Sequence, residues 1–134
     1  MKKGYTIVEL TIYLVVTSIF LSFLIPSVWD LSDELMFRAD VQDAEEMIIY
    51  ARQISLIKNV MSTVLFKSDN IYVMIEGKTI KERHIKVSKV GGRKEFGFLS
   101  GIPYESGKIF LHFKEKKALL TLQPITGVLK IDWE

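Results

Sequence analysis

Two histidines, His84 and His112, are the only imidazoles in the sequence, and it has no cysteine. Thiol catalysis, a disulfide framework and cysteine-ligated zinc or iron–sulfur sites are therefore excluded, and two histidines cannot make a His-rich metal site. No metal and no cofactor is expected. His112 stands between Leu111 and Phe113, an ordinary sheet position. No serine has the flanking glycines of a nucleophile elbow, and no glycine-rich loop carries the Lys-Ser or Lys-Thr of a phosphate cradle. Glu45 and Glu46 are an adjacent carboxylate pair in a helical pattern. Neighbours on a helix point about 100° apart, so they read as a solvated face rather than an acid–base couple. The residues describe no enzyme.

Two charge features remain. The first is Glu9, a single carboxylate at the lip of a long apolar run. At the edge of a bilayer it needs a partner or an interfacial position. The second lies between Lys78 and Lys94, where Lys78, Lys81, Arg83, Lys86, Lys89, Arg93 and Lys94 face one acid, Glu82. Such a density of positive charge attracts polyanions, and a few phosphate contacts would give salt-sensitive DNA binding through Lys81, Arg83, Lys86, Lys89 and Arg93. The competing reading is an edge hairpin whose lysines discourage strand-to-strand aggregation. Aromatics for base stacking are missing from 78–94. Alternation puts Lys81, Arg83 and Lys89 on one strand face and Lys86 on the other.

The elements that must position these groups follow from hydropathy. The chain has 134 residues, 49% of them hydrophobic, with 18 bases and 16 acids, which is one domain's worth of length. Residues 10–28 carry no charged side chain, and a helix of that length spans roughly 28 Å, close to a bilayer core. Thr11, Thr17, Ser18 and Ser22 are tolerable there because a hydroxyl bonds back to its own helix. With Lys2 and Lys3 at the start, the stub should stay cytoplasmic and the rest lie outside. A cleaved secretory signal, a plain signal anchor and a processed anchor all begin this way. No Ala-x-Ala pattern follows Pro26, and neither of the first two explains Glu9.

Beyond the span, Phe37, Val41, Ala44, Ile48 and Ala51 recur at helical steps, widened by Met47 and Ile54. Either Asp30 or Ser32 caps a new helix, or the helix continues from the membrane with a bend near Pro26. From Val60 onward short strands alternate with polar turns: 61–67, 71–75, 81–90, a weaker run at 95–99, an irregular stretch over 100–107, then 108–114, 118–122 and 128–133. About six strands in an antiparallel sheet on one amphipathic helix make an α+β head.

The segment Lys2-Lys3-Gly4-Tyr5-Thr6-Ile7-Val8-Glu9-Leu10 resembles the processing signal of type IV pilins and pseudopilins. In that family a short basic leader ends in Gly, an aromatic residue follows, and a Glu stands fifth in the shortened chain. Gly4, Tyr5 and Glu9 match, with Tyr in place of the usual Phe, and Pro26 matches a helix-bending proline. The resemblance implies cleavage between Gly4 and Tyr5 by a prepilin peptidase, N-methylation of Tyr5, and pairing of the new amine with Glu9 in a filament of other pilins. It also implies one continuous helix, its first half membrane-spanning and its second half packed on the head. The divisions are then a leader 1–4, a membrane and filament-core helix 5–28, a helix on the head 29–59, and a β head 60–134. The chain would sit in the cell membrane as a single-pass protein before joining a surface filament.

Phe96-Gly97-Phe98, Gly107-Lys108-Ile109 and Thr126-Gly127-Val128-Leu129-Lys130-Ile131 resemble the glycine-punctuated meander of the GspH/FimT branch of minor pilins; the competence minor pilin ComGD is of the same general type. The implied function is a minor pilin of a DNA-uptake filament. The alternatives are a minor pseudopilin of a type II secretion system and a DNA-binding tip module. The major competence pilin usually carries cysteines, which are absent here. A major secretion pseudopilin usually has an acidic calcium loop, whereas turns such as Glu115-Lys116-Lys117 are basic.

Overall fold

The computed structural model describes residues 4–134. The expected leader residues Met1, Lys2 and Lys3 lie outside the described residues. The chain forms two compact units, divided between Leu35 and Met36. Helix α1 runs over Ile7–Lys58 with Pro26 inside it.

In the first unit every large apolar side chain from Ile7 to Leu31 is exposed. The helix survives so many hydroxyls because they turn inward on its own backbone. Thr11 donates to the Ile7 carbonyl at 2.8 Å, Thr17 to Tyr13 at 2.7 Å, Ser18 to Leu14 at 2.7 Å and Ser22 to Ser18 at 2.8 Å. By length and composition α1 is able to cross a membrane.

In the second unit the expected stripe is the buried one. Phe37, Val41, Ala44, Met47, Ile48 and Ala51 are all buried, whereas Ile54 is only half-buried. The helix ends at Lys58 because Asn59 takes a left-handed conformation, φ 52°, and Val60 N–H reaches back to the Ser55 carbonyl.

Nine strands follow: β1 (Met61–Phe66), β2 (Asn70–Ile75), β3 (Lys78–His84), β4 (Lys89–Gly92), β5 (Glu95–Leu99), β6 (Ile102–Glu105), β7 (Gly107–Phe113), β8 (Lys116–Leu122) and β9 (Leu129–Trp133). They form two antiparallel sheets, β3-β2-β1-β5-β6 and β4-β7-β8-β9. The fold is α+β, a long helix packed on antiparallel sheets. Alternate residues of each sheet, such as Val64 and Phe66, Phe96 and Phe98, Ile109 and Leu111, meet the α1 stripe in one continuous core.

Two expectations need correction. The run 81–90 is not one strand. Ile85 N–H goes to the Asp69 carbonyl, and the next three amides go to the Asp40 carboxylate, so no ladder bonds remain for 85–88. The chain leaves one sheet after His84 and enters the other at Lys89, which is why two sheets replace the expected one. The stretch 100–107 is not irregular either. Ser100 and Gly101, φ 51° and 79°, form a two-residue turn, so Leu99 pairs with Ile102 and β6 closes a hairpin. Gly97 is needed on β5 because the Tyr104 ring occupies the space a Cβ would take.

Candidate functional site

Gly4 and Tyr5 precede the helix in an exposed stretch without regular structure. Nothing lies within 4 Å of the place a Gly4 side chain would begin. The Tyr5 ring stands edge-on to Tyr13, centroids 5.9 Å apart. Thr6 starts the helix with a reciprocal cap. Glu9 N–H donates to Thr6 Oγ1 at 3.2 Å, and Thr6 N–H donates to Glu9 Oε2 at 2.9 Å. This is a capping box, Thr-x-x-Glu, and it satisfies two of the amides a helix start leaves bare. The Thr6-x-x-Glu9 spacing carries that signal in the sequence, alongside the charge and motif position of Glu9. The bond between residues 4 and 5 thus lies just outside the capped helix start, in an exposed stretch. Pro26 lies inside α1 among exposed neighbours.

The basic stretch is divided by the fold. The Lys81 ammonium sits 4.2 Å from the Tyr50 ring centroid. Arg83 reaches Asp43 and Glu46 at 3.7 and 3.8 Å. Arg93 donates to the Glu95 and Ser106 carbonyls and lies 3.6 Å from Glu105. These three are engaged within the head, and Glu46 is part of the partnership rather than a wholly solvated acid. Lys86 and Lys89 instead line a cleft of about 410 Å³ together with Lys67 and Lys94. Local spacing could not have joined Lys67 to this group, because the turn after β1 and the β3–β4 connection meet only through long-range pairing.

One wall of that cleft is Ser88, which is 6% exposed. Its Oγ is the only buried side-chain polar atom without a hydrogen-bond partner among the described residues. An unpaired buried hydroxyl costs about 1–3 kcal/mol. The connection that carries it is held by Asp40, which is 1% exposed and accepts from Lys86 N–H at 2.8 Å, Val87 N–H at 2.9 Å and Ser88 N–H at 2.8 Å. His84 is exposed and hydrogen-bonds Asn70 Oδ1; His112 is exposed on β7. No three metal-ligating side chains converge among the described residues.

A second, larger groove of about 600 Å³ is apolar, with Ile48, Ile49, Leu56, Ile102 and Val128 around Arg52. Arg52 stitches two loops to the helix. Its guanidinium donates to the carbonyls of Gly101 at 3.1 Å, Gly127 at 3.1 Å and Thr126 at 2.9 Å. Arg52→Ala should lower head stability by about 2–3 kcal/mol, since three carbonyls lose a charged donor. Arg52→Lys should recover less than half, because a single ammonium lacks the planar fork. Denaturant unfolding followed by circular dichroism measures both; equal stability of Arg52→Ala and the parent would disprove the stitching role.

No protein-family model matches the chain, and no curated protein matches it. Solved structures do. One crystal form of the type IV minor pilin FimU from Pseudomonas aeruginosa superposes with a TM-score of 0.63 at 7% identity, over 76% of this chain and 92% of that one. A second crystal form gives 0.59 at 8% identity, over 71% and 91%. A likeness at such low identity is one of architecture, and it covers most of both chains: this chain has a type IV pilin-like fold.

Proposed function

We propose that this chain is a minor pilin or pseudopilin, a subunit of a type IV pilus-like filament that acts by assembly rather than catalysis. The observation that carries the reading is the change of character along α1. From Ile7 to Leu31 its apolar side chains are all exposed, and from Phe37 onward the apolar stripe is buried under the head. An exposed apolar surface of that extent fits a bilayer before assembly and a bundle of like helices afterwards. The pilin-like fold supports the same reading.

In this reading residues 1–4 are a leader removed by a prepilin peptidase, and Tyr5 becomes the methylated N-terminus. Residues 5–28 are the membrane and filament-core segment, 29–59 the helix on the head, and 60–134 the head. The start of the chain is cytoplasmic and the head outside, and the mature subunit moves into a cell-surface filament with other pilins. Within this class we take DNA uptake as the machine, on the resemblance of the head's glycine-punctuated strands to the GspH/FimT and ComGD type. A type II secretion system is the alternative.

The test is processing. Coexpression with a prepilin peptidase should yield a chain that begins at Tyr5, read by intact mass spectrometry. Gly4→Val should block the cut completely. Because nothing surrounds Gly4 within 4 Å, that substitution leaves the fold alone and reports on the peptidase. A chain that keeps Met1 beside an active peptidase would identify an unprocessed single-pass membrane protein with a ligand-binding head and would sink the proposal.

A further inference from the structure

The geometry points to a phosphate-binding site in the cleft formed by Lys67, Lys86, Lys89 and Lys94, with the Ser88 hydroxyl as its neutral donor. This goes beyond assembly and does not depend on it. Four lysines line the cleft with a single acidic residue, Asp69. Among the described residues none of the four lysines has a carboxylate partner. The Lys67 ammonium lies 5.4 Å from the Tyr72 ring centroid, a contact that leaves its N–H donors available. The other strongly basic side chains of the stretch, Arg83 and Arg93, are bound to acids elsewhere. Lys81 stands against the Tyr50 ring and Lys78 lies outside the cleft, so the cleft gathers three lysines of this stretch, Lys86, Lys89 and Lys94, with Lys67.

The four lysines are exposed, but the segments that carry them are fixed to one another. These segments are laced together through backbone bonds: Phe66 N–H to the Lys94 carbonyl at 2.7 Å, Ile85 N–H to the Asp69 carbonyl at 2.8 Å, and Lys67 N–H to the Asn70 carbonyl at 2.9 Å. Asp40 fixes the 86–88 backbone with three further bonds. Those amides are consumed by Asp40, so they are not a backbone nest for an anion, and ligation falls to ammonium groups and a hydroxyl. Lysines bind phosphate as point charges, and a phosphate offers several acceptor oxygens to several donors at once. Ser88 lines the same cleft, and its buried Oγ has no hydrogen-bond partner among the described residues. The same chemistry is offered by free phosphate and by the backbone of a nucleic acid.

The test uses the full chain in neutral-detergent micelles. Inorganic phosphate is titrated calorimetrically at constant ionic strength, and a labelled DNA duplex is titrated by fluorescence anisotropy. Lys86→Gln with Lys89→Gln should weaken phosphate binding by about tenfold or more, since charge-assisted bonds are lost. Lys78→Gln with Lys130→Gln removes the same charge outside the cleft and should change it by less than about twofold. Ser88→Ala should weaken phosphate binding without lowering the thermal midpoint, because its hydroxyl has no partner within the fold to lose. Duplex binding that phosphate displaces, and that the cleft pair abolishes, assigns the site to a nucleic-acid backbone; phosphate binding without duplex binding assigns it to the free ion. No saturable phosphate binding up to about 10 mM, or equal losses in the cleft and control pairs, would overturn the site. Neither result bears on processing at Gly4, so failure here is distinct from failure of the filament reading.

Discussion

Asp40→Ala should cost the head about 3–5 kcal/mol, the largest stability loss expected of any single polar substitution in the chain. Three amides, from Lys86, Val87 and Ser88, converge on this one buried carboxylate, and all three lose their acceptor together. For a head of this size the loss corresponds to a fall in thermal midpoint of about 15 °C or more. Asp40→Asn should recover little. An amide keeps one acceptor oxygen but turns two N–H donors toward N–H groups. Thermal unfolding of both variants measures the effect, and limited proteolysis should find new cleavage between residues 85 and 89. A shift of a degree or two in Asp40→Ala would show that the connection is held by something else.

Asp40 also explains why one part of the fold was legible in the sequence and another was not. The α1 stripe was legible because burial repeats with the period of the helix, and it placed Phe37, Val41, Ala44, Ile48 and Ala51 correctly. The back-bonding of Thr11, Thr17, Ser18 and Ser22 was legible because it needs only a residue four places earlier. Most strands were legible from alternation. Asp40 lies three residues after Phe37 and four before Ala44, so its position on the buried face was visible, yet a carboxylate there had no partner that spacing could supply. Its partners lie in a segment whose own alternation read as strand. Local pattern reports what a residue wants from its neighbours; it does not report that three consecutive amides will be taken by a distant side chain. In the lysine cleft Lys86, Lys89 and Lys94 were legible as one basic stretch, whereas Lys67 was hidden for the same reason as the partners of Asp40, since it joins them through the pairing of β1 with β5 and the bond from Ile85 to Asp69. Arg52 gave no signal at all, because its acceptors are backbone carbonyls.

At the helix start the legible feature was Glu9, and the structure adds its second role. In the described chain the carboxylate closes a capping box with Thr6. In the filament we propose that its charge meets the amine created at Tyr5 and so fixes the axial register of the subunit. The two roles separate by substitution. Glu9→Gln keeps the box, since Gln serves at that position, but removes the charge. Glu9→Ala removes both. If register is electrostatic, both variants should be processed normally and both should enter filaments poorly. The equilibrium between bundled and free subunit would shift by about a hundredfold or more, as for a buried charge left without its partner. If Glu9→Gln assembles as well as the parent while Glu9→Ala does not, the carboxylate matters as a cap and the register role is wrong.

If the exposed apolar half of α1 is a filament-core element, the chain should leave the cell with sheared filaments. Filaments sheared from cells that express an epitope-tagged chain, with the wild-type peptidase and partner pilins present, are separated from membranes and probed for the tag. The chain is expected in the filament fraction in its shortened form, beginning at Tyr5. Retention of all the chain in the membrane fraction, while the cells still shed normal filaments, would contradict it.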